Sequence, residues 1–118
     1  MVKGFEELIV FQKARDLTKL IYNLTKKEEF KKDFGLVDHI RRASVSIISN
    51  IAEGFERGTK EELPHFLYIA KASCGEVRAQ IKVSGFKGLK YKKVKPKDVE
   101  EFDRMLEKIL AKRQTLII

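Results

Sequence analysis

The sequence predicts an all-α protein, an antiparallel up-down-up-down four-helix bundle. Three observations predict it. Four runs of apolar residues recur at alternating three- and four-residue spacing, the period of one helix face. Glycine, proline or dense charge separates consecutive runs. No period-two run bounded by hairpin turns occurs, so no sheet is expected.

The first run is Val10, Ala14, Leu17, Ile21 and Leu24, widened by Leu8, Phe11 and Leu20, and predicts a helix over about 6–25. The segment Lys26-Lys27-Glu28-Glu29-Phe30-Lys31-Lys32-Asp33 follows and reads as a charged connection. The second run, Val37, Ile40, Ser44, Ile47, Ile51 and Gly54, predicts a helix over about 35–56. Its small residues Ala43, Ser44 and Gly54 would admit a close neighbour. An internal glycine costs roughly 1 kcal/mol against alanine, so Gly54 marks either a packing contact or the helix end.

Arg57-Gly58 breaks the pattern. Thr59 with Glu62 reads as a capping box, in which the hydroxyl accepts from an unpaired amide and the carboxylate bonds back. The third run, Leu63, Phe66, Ala70, Ser73, Val77 and Ile81, predicts a helix over about 60–84, with Pro64 tolerated in its early turns. Gly85 and Gly88 end it. Pro96 suits the first turn of a fourth helix over about 97–115, carried by Val99, Phe102, Leu106 and Ile109. Helices of roughly 20 residues, each about 30 Å long, with short connections make a single-domain bundle over 1–118.

Composition narrows the function classes. Hydrophobic residues make up 43% and charged residues 36%, a globular balance with a charged surface. No apolar run approaches the roughly 20 residues that span a bilayer, and two acids precede the first apolar stretch, unlike a signal peptide. A cytoplasmic protein with no membrane partner is expected. Cys74 is the single cysteine, which excludes an internal disulfide framework. It falls beside the core stripe and reads as a buried, inert thiol.

The net charge is +8, and its placement matters more than its size. Between Glu76 and Asp98 there is no acid, while Arg78, Lys82, Lys87, Lys90, Lys92, Lys93, Lys95 and Lys97 are all basic. The other 17 of the 25 Lys and Arg balance the 17 Asp and Glu, so the whole excess lies in this one segment. Lysines neutralise phosphates and release counterions, and the interleaved Phe86 and Tyr91 could stack on unpaired bases. These ten residues are the candidate nucleic-acid contacts. The bland reading is a solvated loop that keeps the protein in solution.

A second constellation is polar. Arg42, Ser46, Asn50, Glu53 and Arg57 lie close to one helix face at steps of three and four residues, with Ser49 nearby. Ser73 and Glu76 stand on the next helix. The expected role is a structural seam with Arg and Glu paired across helices, Arg42 supplying the cation for any buried carboxylate. A ligand pocket is the alternative. No enzyme is expected: the serines lack a strand–turn–helix context. His39 and His65, the two histidines, lack the Glu-x-x-His pairing of bundle dimetal sites, and no phosphate-binding glycine loop occurs. No metal or other cofactor is expected.

The residues Ile40-Arg41-Arg42-Ala43, Ser46-Ile47, Ser49-Asn50-Ile51-Ala52-Glu53-Gly54-Phe55 and Arg57 carry a resemblance. So do Phe66-Leu67, Ile69-Ala70, Ser73 and Glu76 downstream, and Leu8, Gln12-Lys13-Ala14 and Ile21-Tyr22 upstream. The chain resembles the four-helix-bundle proteins encoded in intervening sequences of bacterial 23S ribosomal RNA genes. It departs from their usual pattern at Phe11, His39, Ile48 and Ala72. The resemblance implies a ring-like homo-oligomer, typically a pentamer, and kinship with the accessory proteins of diversity-generating retroelements, which bind RNA and a reverse transcriptase through a basic surface. The expected function is a non-enzymatic, RNA-binding or RNA-associated oligomer. The rival is a scaffold that recruits a partner enzyme through the exposed faces of the first and fourth predicted helices and the apolar end Leu116-Ile117-Ile118.

Overall fold

The computed structural model describes residues 9–57, 59, 61–86, 100 and 104. Among them are four helices and no strand: α1 (Ile9–Thr25), α2 (Glu28–Lys31), α3 (Phe34–Arg57) and α4 (Glu62–Phe86). The predicted fourth long helix, 97–115, lies outside the described residues except for Glu100 and Arg104, which are helical.

α3 is the central element, packed on α1 along one side and on α4 along another. The core is built from the predicted stripes. Val10, Ala14, Ile21 and Leu24 of α1 meet Val37, Ile40, Ala43, Ile47 and Ile51 of α3, and Leu63, Leu67, Ala70, Cys74, Val77 and Ile81 of α4. Sequence spacing favoured Phe66 for the α4 stripe. The structure buries Leu67 and Cys74 completely and leaves Phe66 half-buried. The residue one position on lies closer to the face that α4 turns inward, and Phe66 instead packs at the α3–α4 corner.

The charged connection is not a simple loop. It contains α2, whose Phe30 is fully buried in the core. Charge dominates the composition of this stretch, and a single aromatic has no periodic partner, so spacing could not mark it. Burial of one Phe side chain stabilises by about 1.5–3 kcal/mol, enough to hold a one-turn helix that is too short to persist alone. The backbone closes tightly on both sides: the Lys27 amide donates to Leu24 O at 3.2 Å and the Asp33 amide to Phe30 O at 3.1 Å.

Two caps set the long helices. The Leu36 amide donates to Asp33 Oδ1 at 3.1 Å, and the Val37 amide to Asp33 O at 3.1 Å, so Asp33 starts α3. The Glu62 amide donates to Thr59 Oγ1 at 3.1 Å and starts α4. The return half of the expected capping box is replaced: Glu62 Oε2 accepts from Arg57 Nη1 at 3.2 Å. α4 also outruns its predicted end at 84 and continues through Gly85 to Phe86. Ser84, fully buried, donates to Ile81 O at 2.6 Å within that last turn.

Gly54 is a packing contact. A Cβ there would stand 3.1 Å from both Leu63 Cδ1 and Phe66 Cβ. The bare backbone therefore lets α4 approach α3 closely at the corner.

Candidate functional site

The seam between α3 and α4 carries the polar residues singled out from the sequence. At its centre, Ser73 of α4 is 5% exposed and donates to Ser46 Oγ of α3 at 2.8 Å. Asn50 Nδ2 donates to Ser46 Oγ at 3.1 Å and to Ser46 O at 2.8 Å. Three of the seven seam residues thus form one connected set. It satisfies a hydroxyl that burial would otherwise penalise by about 1–3 kcal/mol.

The charged members divide between the two ends. At the corner, Arg57 Nε donates to Glu53 Oε1 at 2.7 Å, and Arg57 Nη1 reaches Glu62. The Arg57 guanidinium also lies over the Phe66 ring, 5.1 Å from its centroid. Hydrogen bonds to Glu53 and then Glu62 raise its pKa above the ordinary arginine value. His65 meets Phe66 edge-on at 5.3 Å.

Towards the start of α3 the helices leave an open groove, lined by Gly35, Asp38, His39, Arg42 and Ser46 of α3 and by Ile69, Ala72, Ser73 and Glu76 of α4. Arg57 and Glu62 make the expected Arg–Glu pair across the helices at the corner, but Arg42 does not make one here. Arg42 Nη1 lies 3.6 Å from Asp38 Oδ2 on its own helix, while Glu76 Oε2 lies 3.7 Å from His39 Nε2 across the groove. Arg42 and Glu76 are exposed, so no buried carboxylate demands the arginine, and i to i+4 geometry supplies a nearer partner. The departures from the family pattern sit in these places. His39 and Ala72 line the groove, and Phe11 and Ile48 pack against the core.

The sequence reading missed Arg41. Its Nε donates to Thr25 Oγ1 at 2.8 Å, and its guanidinium lies 4.7 Å from the Tyr22 ring centroid. This ties α3 to the end of α1. Thr25 in turn donates to Ile21 O at 2.7 Å.

Of the candidate nucleic-acid contacts, Lys82 is exposed on α4 and Arg78 is half-buried one turn before it. Phe86 closes the helix. Lys87, Lys90, Tyr91, Lys92, Lys93, Lys95 and Lys97 lie outside the described residues. Among the described residues no group of three or more His, Cys, Asp or Glu side chains is placed to hold a metal ion. No described helix is long and apolar enough to cross a membrane.

These features define an all-helical protein whose long helices share one apolar core and are keyed by a polar seam between α3 and α4. Residues 6–114 match the family of 23S rRNA-intervening sequence proteins, and the chain belongs to that family. No curated protein matches the sequence.

Proposed function

We propose that this chain is a non-enzymatic, cytoplasmic, RNA-associated accessory protein. It works as a ring-like homo-oligomer of antiparallel bundles, with five subunits the expected number. The observation that carries the reading is the charge distribution: the whole +8 excess falls in the acid-free stretch between Glu76 and Asp98. In a ring that stretch repeats on one rim and the fields add. Arg78, Lys82 and the lysines from Lys87 to Lys97 meet phosphate, and Phe86 and Tyr91 stack on unpaired bases. Lysines that contact backbone give little sequence preference. Membership of a family named for an rRNA intervening sequence supports the association with RNA.

Large apolar side chains left in water support self-association. Phe34 is 80% exposed and Ile9 65%. The same exposure favours the second reading, a scaffold that recruits a protein partner without touching nucleic acid.

The test is fluorescence anisotropy of a labelled single-stranded RNA across a salt series, with light-scattering mass measured on the same samples. Four lysine contacts per subunit give a log–log salt slope of about −3. Binding that ignores salt, or no binding at low salt, overturns the reading. Recovery of a protein partner without RNA supports the scaffold instead.

A further inference from the structure

The turn around α2 carries a second set of cations that the lysine-rich stretch does not include. Lys26, Lys27 and Lys32 are exposed, and none has an ion-pair partner among the described residues. The neighbouring acids are mostly engaged. Glu28 takes Lys31 Nζ at 2.9 Å, and Asp33 Oδ1 accepts the Leu36 amide to cap α3. With Lys31 held by Glu28, the three remaining lysines outnumber the two remaining carboxylates of the turn, Glu29 and Asp33.

The turn is anchored on both sides. Phe30 plugs the core from its middle, and Arg41 holds Thr25, the residue before Lys26, by a hydrogen bond and stacks on Tyr22. The backbone that presents these lysines is therefore ordered before any ligand arrives, which lowers the entropic cost of binding. The turn also lies towards the basic end of α4. His39 faces Glu76, and continuing that register back towards Phe34 carries the start of α3 along α4 in the direction of Lys82. The opposite, α3–α4 corner is acidic, with Glu53, Glu56, Glu61 and Glu62.

We propose that the phosphate-binding surface extends from the end of α4 onto the α2 turn, with Lys26, Lys27 and Lys32 contacting the backbone of the same RNA strand. The inference rests on the RNA-binding reading and adds an anchored surface to it.

The experiment compares three variants with the wild-type chain by anisotropy on single-stranded RNA. Far-UV circular dichroism checks that each is folded. Lys26→Gln/Lys27→Gln/Lys32→Gln is expected to bind at least tenfold more weakly at 100 mM salt, with a salt slope shallower by about 2. Lys90→Gln/Lys92→Gln/Lys93→Gln tests the lysine-rich stretch. Lys13→Gln/Arg15→Gln is the charge control. It stands roughly 16–20 Å up α1 from Lys26, more than one Debye length at 100 mM salt, and should change affinity less than twofold.

A wild-type slope in the α2-turn variant, beside lost binding in the Lys90–Lys93 variant, sinks the extension and leaves the functional reading standing. An equal loss per charge in the control sinks it as well, because net charge alone would then explain the effect. A wild-type chain that binds no RNA overturns both.

Discussion

α3 and α4 run side by side, yet their two ends are held differently. At the corner, Gly54 lets the helices touch, and Arg57 spans Glu53, Glu62 and the Phe66 ring. At the other end a groove opens between the helices, and its polar contacts, Asp38–Arg42 and His39–Glu76, are exposed and 3.6–3.7 Å long. Phe30 of α2 joins the same core from beside α3. One helix pair is therefore held in two ways. Where side chains are absent, backbones approach and need no filler. Where a groove opens, exposed polar side chains face each other across it.

The comparison breaks first at Phe30. Phe30→Ala empties the fully buried position and should cost about 3–5 kcal/mol, read as a lower urea midpoint. A cost below 1 kcal/mol would mean that the core does not depend on α2. Gly54→Val forces two extra methyl groups and a Cβ against Leu63 and Phe66, with an expected loss of about 1–3 kcal/mol. The same measurement showing no loss would remove the close approach at the corner. Ser73→Ala, midway between the ends, removes the donor to Ser46 and should cost about 1 kcal/mol. Substituting Ser46 as well should cost less than the sum of the single changes, because both act on one bond. The smallest effect is a gain. Gly35 has nothing within 4 Å of an added Cβ, so Gly35→Ala should stabilise by about 0.5 kcal/mol. Opposite signs at Gly35 and Gly54 would sharpen the contrast between open and closed ends.

The seam shows how far sequence reasoning reaches into a site. Ser46, Asn50 and Ser73 could be grouped because a helix face repeats every three or four residues, and the structure joins them by hydrogen bonds. Which cation meets which carboxylate was not legible. Arg42 has Asp38 one turn away, Glu76 meets His39, and Glu62 meets Arg57. Such choices depend on how far one helix is rotated and slid against another, and no local pattern records that. Exposed pairs of this kind also contribute little energy, so the fold constrains them weakly.

What the sequence by itself determined is the three long helices α1, α3 and α4 with their inward stripes, since a repeat of 3.6 residues is written locally in the order of apolar and polar side chains. It also determined where the positive charge is concentrated. What tertiary structure alone decided is the burial of Phe30, the bridge from Arg41 to Thr25 and the two-ended character of the α3–α4 seam. Each joins residues whose separation along the chain carries no period. Their meeting is fixed when the helices pack and every remaining volume and hydrogen-bonding group must find a partner.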